Sequence, residues 1–256
     1  MRCERRVSRR REGEHVGRKG QGKSLKRAYA PRQWKIHRKE KRWTIRNTPG
    51  PHTSDLSVPI TFILRDYLGY AKNVHEVKKI LTEGLILVNG KPQRDYRYRV
   101  GVMDIVEIPR TEEYYRVLPN YKGTITLHPI SAEEKTRKLY KIKNVTLLKG
   151  GRYQLNFHDG NNFVSDKKYE TYQSVIVDME RNEIVEAIPL SEGSLVFIVS
   201  GKNVSKVGRI REIHEFGMNP DAVLLESPEG TFQTLKDYVF AVGVNDTPAI
   251  SLPGGE

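Results

Sequence analysis

The sequence predicts an α+β protein that is mostly β, with a basic arm ahead of its first helix, and three observations carry that prediction. Apolar residues recur at helical spacing only between residues 59 and 84. Beyond residue 85 the pattern changes to short alternating runs broken by Gly, Asn and Asp. The excess charge sits at one end: residues 1–50 hold 18 Lys and Arg against 4 Asp and Glu, and the remainder holds 26 against 27.

A like-charged block with few apolar residues cannot bury enough surface to offset its ordering entropy. Residues 1–33 are therefore expected to be extended or disordered in the free chain, with order beginning near Trp34. Such a block favours a polyanion, whose condensed counterions Lys and Arg displace. No amphipathic stretch pairs the charge with a long apolar face, which argues against a membrane surface as that polyanion. Residues 34–57 interleave Trp34, Ile36, Trp43 and Ile45 with basic side chains before a turn or linker at Pro49-Gly50-Pro51. The two tryptophans are expected to anchor the arm onto the next domain, aromatic burial being the commoner role.

From Pro59, which suits a first helical turn, Ile60, Ile63, Leu64, Tyr67 and Leu68 share one helical face, and Gly69 ends the run. A second helix is predicted from Asn73, with Glu76 placed to reach back as a capping box and Val74, Val77 and Leu81 on its apolar side. Gly84 stops it. Residues 85–88, the pair Asn89-Gly90 and a return from Lys91 read as a hairpin with a two-residue turn. Residues 96–100 alternate with period two, which predicts a strand with aromatic and basic side chains on opposite faces, and 102–108 read as another. The rest is predicted all-β, with strands near 125–127, 153–157, 174–177 and 195–199 and a division into two small barrels or sandwiches near Ile188-Pro189-Leu190.

The stretch from Gly17 to Ser24 satisfies the phosphate-loop expression G-x-x-x-x-G-K-[ST], but that loop works only where a buried strand delivers it to a helix N-terminus. Here mostly charged residues precede it, and the phosphate-loop reading is rejected. The single cysteine, Cys3, rules out an internal disulfide framework and a cysteine zinc site, and no other metal site is expected. The seven histidines are scattered, no hydrolase or zinc-protease motif is present, and no catalytic residue or cofactor is expected. Asp66, Asp95 and Asp104 stand as isolated acids whose default role is salt bridging. Residues 195–199 are too short an apolar run to span a bilayer. Arg65, Lys72, His75, Lys78 and Lys79 fall on the polar side of the two helices, with Lys91, Arg94, Arg97 and Arg99 on the hairpin side. Spacing alone leaves open whether this is a binding surface or an ordinary solvated face. After the run 195–199, Gly208 permits a bulge or a close backbone approach, and Lys202 and Lys206 are positioned to meet phosphate; a plain turn is the other reading.

Several collinear blocks resemble the S4e small-subunit ribosomal proteins of archaea and the eukaryotic cytosol. They include Lys26-Arg-Ala-Tyr-Ala-Pro-Arg-Gln-Trp-Lys-Ile-His-Arg-Lys39, Pro49-Gly-Pro-His52, Leu64-Arg-Asp-Tyr-Leu-Gly-Tyr-Ala71 and Gly84-Leu-Ile-Leu-Val-Asn-Gly-Lys91. Arg94-Asp-Tyr96, Tyr115-Arg-Val-Leu-Pro119, Leu155-Asn-Phe-His-Asp-Gly160 and Thr234-Leu-Lys-Asp-Tyr-Val-Phe240 continue the match. The resemblance implies an extra segment at 1–15, with Val16 as an internal start, and a basic RNA-binding arm at 16–57. It further implies an S4 RNA-binding domain at 58–110, a central β domain at 111–190 and a KOW-containing SH3-like barrel at 191–256. It places Lys26, Arg27, Arg32, Lys35, Arg38, Lys39, Arg42, Arg46, Arg65, Lys72, Lys78, Lys79, Lys91, Arg94, Lys202 and Lys206 on RNA. Many relatives of the S4 domain in other proteins have Gly-Asp before the last strand, where this chain has Met103-Asp104.

The expected function is that of a non-enzymatic constituent of the cytoplasmic small ribosomal subunit. Its expected partners are ribosomal RNA and neighbouring ribosomal proteins, with no membrane and no independent homo-oligomer. An RNA-modifying enzyme that borrows the same domain is the alternative from another class, but residues 110–256 offer neither a Gly-rich cofactor loop nor an acidic catalytic motif in an α/β setting. A free regulatory RNA binder is the third reading.

Overall fold

The helical periodicity becomes a short, bent helix pair. In the computed structural model, which describes residues 22–253 apart from 38, 215, 216, 218, 219, 229, 245 and 246, α1 (Ile60–Phe62) runs into a π-helical turn, Ile63–Tyr67. The Leu68 N–H donates to the Ile63 carbonyl at 3.0 Å, and this widening leaves both Ile63 and Leu64 buried. Pro59 is not the first helical residue but the end of the strand Ser57–Pro59 and the N-cap. Gly69 follows with φ of 72°, a left-handed stop that glycine adopts without cost. α2 (Val74–Thr82) starts where Asn73 predicted, and the Glu76 carboxylate accepts from the backbone N–H of Lys72 at 2.7 Å and Asn73 at 3.4 Å.

The hairpin Leu87–Val88 to Lys91–Pro92 turns on Asn89 and Gly90, both at positive φ, as a type I′ turn requires. These strands begin an antiparallel sheet that continues through Ile105–Ile108, Glu113–Pro119 and Ile125–Pro129, so hydrogen bonding runs on past residue 110. The strand expected at 96–100 is shorter, Arg99–Gly101. The Asp95 carboxylate accepts from the Arg97 N–H and its carbonyl from the Tyr98 N–H, both at 3.0 Å, and this local turn outcompetes the ladder that alternation alone predicts. Met103 occupies the left-handed region with φ of 68°, where a glycine would sit without strain, and its side chain is fully buried.

Two further five-stranded antiparallel sheets follow. The first has the order Asn162–Ser165, Tyr153–Phe157, Arg137–Leu147, Ser174–Asp178, Glu183–Ile188, and its long central strand changes partner at a bulge between Ile142 and Asn144. The second has the order Gly230–Leu235, Ala222–Ser227, Val207–His214, Leu195–Ile198, Val239–Gly243, consistent with an SH3-like barrel. Gly208 makes the close approach foreseen for it: a Cβ there would lie 3.0 Å from the Glu226 carbonyl oxygen.

The arm is ordered earlier than charge predicts. Strand Ser24–Lys26 pairs with Trp43–Ile45, and the Ile125 N–H donates to the Gln33 carbonyl at 2.9 Å. Trp34 is buried, packs 5.2 Å from Phe62 and donates its indole N–H to the Ser57 carbonyl at 2.7 Å. Apolar anchoring and backbone pairing outweigh repulsion among its cations here. Trp43 departs from the anchoring role, being 54% exposed.

A buried ionic cluster locks these units together. The fully buried Lys138 ammonium donates to Asp104 Oδ1 at 2.7 Å and Asp159 Oδ2 at 2.9 Å. Asp104 also accepts from Asn89 Nδ2 at 2.9 Å and the Gly101 N–H at 2.7 Å, while His52 Nε2 lies 3.0 Å from Oδ2. Asp159 accepts from the Asn161 amide and N–H at 2.7 and 3.0 Å. At Gly101 no side chain fits, because a Cβ would overlap the His52 ring. His52, Asp104 and Asp159 converge as metal ligands do, but the Lys138 ammonium stands between the two carboxylates and supplies the cation. Burial alone would raise both carboxyls; Lys138 overrides it and holds them below the usual range, while the lysine is raised in turn.

Two more buried cations span the units. Arg116 reaches Glu134 at 3.0 Å, the Ser251 carbonyl at 3.2 Å and the Arg137 carbonyl at 3.3 Å. Lys141 donates to the Lys236 and Asp237 carbonyls at 2.9 Å beside the rings of Tyr172 and Phe240. Burial pushes Lys141 down to about 7, with Asp237 opposing and Lys143 and Lys236 reinforcing.

Replacing Lys138 with Met is expected to cost about 3–5 kcal/mol, because two carboxylates stay buried without their cation; urea denaturation measures it. The depressed carboxyls make the cluster's contribution fully present above the ordinary Asp value of 3.8 and lost as pH falls below it. A wild-type denaturation midpoint that does not fall on acidification, or that Lys138→Met leaves unchanged, contradicts this. Lys141 acts in the same direction at higher pH: between about 7 and 10.5 the unfolded chain binds the extra proton, so stability rises with pH. Lys141→Met removes that rise between pH 7 and the onset of tyrosine ionisation, as parallel melting curves will show.

Candidate nucleic-acid interface

The sequence-predicted cations fall into three structural situations. Lys26, Arg32, Lys35, Lys39 and Arg42 of the arm are exposed, as are Lys72, Lys78 and Lys79 around α2, Lys91 and Arg94 on the hairpin side, and Lys202 in the barrel loop. Arg46, Arg65 and Lys206 are half-buried, and Arg38 lies outside the described residues. Arg27 is buried: its guanidinium donates to the His37 carbonyl and to the Glu40 carboxylate at 3.2 Å. That pairing folds the arm on itself and leaves this guanidinium facing inward.

Arm and helix pair meet at Tyr67. Its hydroxyl accepts from the Lys35 N–H at 3.4 Å, and the Lys35 ammonium lies 5.9 Å from the ring centre. Burial raises the Tyr67 hydroxyl to about 12, against the lowering effect of the Lys35 N–H, so it stays a neutral phenol. Two residues back, Arg65 clasps Asp66 with two hydrogen bonds of 2.8 and 2.9 Å and covers the Phe62 ring at 5.3 Å. That carboxylate bond raises the guanidinium's pKa, and the salt-bridge role expected of Asp66 is what the geometry gives.

The second junction is Tyr96. The Lys78 ammonium sits 4.6 Å from its ring centre and the Arg97 guanidinium 5.7 Å, so the polar side of α2 meets the turn before Arg99. Thr48 donates its N–H and hydroxyl to the Arg97 carbonyl, each at 3.1 Å, which sets the end of the arm against this turn. Arg99 donates to the His52 carbonyl at 3.0 Å; burial, with Arg46 nearby, lowers its pKa. Arg99, one of the cations named from the sequence, thus lies close to Arg46 of the arm. The turn that replaces the expected strand had its signal in Asp95, whose side chain accepts from the Arg97 N–H.

The barrel loop stands beside the arm's far side, where Gln33, Gly123, Gly201 and Val204 line one small cleft, with Lys202 exposed on the loop itself. Lys206 lies 5.7 Å from the Phe232 ring centre. The rejected phosphate loop lies mostly outside the described residues, and its last residue, Ser24, opens a strand rather than a helix. The turn formed by Met103 and Asp104 points inward to the ionic cluster and takes no part in this surface.

Known proteins match this chain over most of its length. The ribosomal family S4e matches residues 111–184, an RS4NT domain matches 19–55 and an S4 domain matches 63–106. The small ribosomal subunit protein eS4 of Methanothermobacter thermautotrophicus is 44% identical over 91% of this chain and 97% of its own length. The chain belongs to the S4e ribosomal protein family. This is a family of structural ribosomal proteins rather than enzymes. The eS4 of Methanosphaera stadtmanae is 42% identical over 92% of this chain and 98% of its own. A crystal structure of the 30S ribosomal protein S4e from Thermoplasma acidophilum matches with a TM-score of 0.66 at 33% identity, covering 77% of this chain and 100% of that one.

Because Trp34 joins the arm to the core of the S4 unit, Trp34→Ala is expected to cost about 3–5 kcal/mol, the usual range for emptying a buried aromatic site. A shift of less than about 1 kcal/mol in chemical denaturation would show that the arm docks independently of its indole.

Proposed function

We propose that this S4e family member is a structural constituent of the small ribosomal subunit in the cytoplasm. It binds ribosomal RNA through the outer face of its arm and helix pair and packs against neighbouring ribosomal proteins. The observation that carries this reading is the pair of junctions at Tyr67 and Tyr96, which bring arm cations and α2 cations onto neighbouring elements while Arg27 turns inward. Exposed ammonium groups on a rigid support position phosphates by charge, and folded RNA is read by shape and phosphate placement. The S4 domain match and the small-subunit names of the relatives support the same assignment.

Deleting the arm would test this poorly, because Trp34 belongs to the core and its removal would also destabilise the unit being probed. Side-chain changes are cleaner. Lys78→Gln with Lys79→Gln is expected to weaken binding to a small-subunit ribosomal RNA transcript and to reduce the slope of log affinity against log salt by about one to two. Both residues are exposed, so the melting temperature should move little. An unchanged salt slope in filter binding would count against the helix pair as an RNA surface.

A further inference from the structure

Among the described residues the arm leaves two large aromatic side chains exposed, Tyr29 and Trp43. Trp43 is 54% exposed, although it sits in a paired strand directly opposite Lys26. Residues opposite one another in an antiparallel pair project to the same face, so the Lys26 and Trp43 side chains stand together. The Arg42 guanidinium lies 5.7 Å from the indole centre. Tyr29, 73% exposed, follows two residues after the Arg27 N–H that bonds the Arg42 carbonyl at 3.0 Å. Leaving an indole in water forgoes burial energy, and this one does so between two cations.

The charge around it selects the occupant. Glu40 is the only acid between residues 22 and 50, and Arg27 already holds it at 3.2 Å. Lys39, Lys41 and Arg42 close by are exposed. An anionic partner with a flat apolar face satisfies both features, and a nucleotide has both. A base inside a duplex keeps its faces stacked on its neighbours, so the base that reaches an indole is an unpaired one.

We propose that Trp43 receives an unpaired base of the bound RNA, stacked on its indole, with Lys26 and Arg42 holding the adjoining phosphates. This rests on the RNA-binding reading above and adds to it a site for a splayed nucleotide, distinct from the phosphate contacts assigned to the helix pair. The geometry recognises a base face rather than a base edge, so the site tolerates any base and selects single strand over duplex.

The test uses the full chain, whose two tryptophans include only one that is exposed. Short oligouridylate is expected to quench the tryptophan emission, and a blunt RNA duplex of the same total charge to leave it nearly unchanged. Trp43→Ala and Trp43→Leu should both lower oligouridylate affinity roughly five- to hundredfold, the range set by loss of one stacked base, with Trp43→Phe retaining most of it. Their melting curves should overlay the wild type, and the Leu variant keeps apolar bulk at the position should the Ala variant prove unstable. Equal quenching by duplex, or unchanged oligouridylate affinity in the folded Ala or Leu variant, overturns the proposal. So does a variant that binds RNA normally but fails to associate with other small-subunit proteins, which would give the indole to a protein neighbour. Wild-type binding to small-subunit ribosomal RNA with Trp43 silent would sink this site alone, whereas no wild-type binding at low salt would sink the wider reading with it.

Discussion

The Lys138 ammonium is the point through which this fold is held together. It comes from the long strand of the central sheet, yet its acceptors belong to the turn of the S4 unit and to a loop of its own sheet, and His52 at the end of the arm reaches the same carboxylate. Taking such a lysine out of water costs several kcal/mol, which is recovered only when both carboxylates and their secondary donors are in place. Asn89, the Gly101 N–H and Asn161 supply those donors, so the hairpin turn and the strand end are constrained by the same cation. Relative placement of arm, S4 unit and central sheet is thereby an ionic constraint rather than a consequence of linker length. His158, next to this cluster and edge-on to Phe240, is held neutral by burial and carries the contact on to the barrel.

The apolar packing follows the same plan. One core gathers Trp34 with the helix pair and its sheet; another gathers Val102, Met103 and Leu118 with residues of both β units. Met103 explains why a left-handed residue that would be strain-free as glycine is tolerated as methionine: its side chain fills the junction between the S4 turn and the barrel. Burial of that side chain opposes a backbone cost on the order of 1–3 kcal/mol. The turn therefore belongs to the packing between units and not to the exposed basic face.

Elements whose signals are local were legible in the sequence. The helix stop at Gly69, the reach-back of Glu76 and the turn at Asn89 and Gly90 each follow from chemistry within a few residues. What could not be read was set by distant partners. Residues 24–33 look too charged to order, yet a strand partner at 43–45 and an acceptor pairing with Ile125 order them. Arg27 looks like one more RNA contact until Glu40 and the His37 carbonyl claim it. Asp104 was legible as an ion-pair acid but not its partner, since Lys138 lies 34 residues away in a different sheet. The continuation of the first sheet past residue 110 belongs to the same class, since strand pairing across a turn leaves no mark on composition.

Arg116 gives the chain a temporal constraint as well as a spatial one. Its guanidinium is wholly enclosed, and two of its supports are the Ser251 carbonyl and a Glu134 carboxylate that Ser251 itself steadies through its N–H and hydroxyl. Ser251 is 135 residues downstream, so during synthesis the S4 sheet exists for more than half the chain's length before that pocket can close. Until then a charged strand must stay solvated or borrow another acceptor, and the segment around Ser251 acts as the latch on a strand made well before it. Enclosure of that guanidinium is therefore a late event, completed after the basic arm and the helix pair have been made.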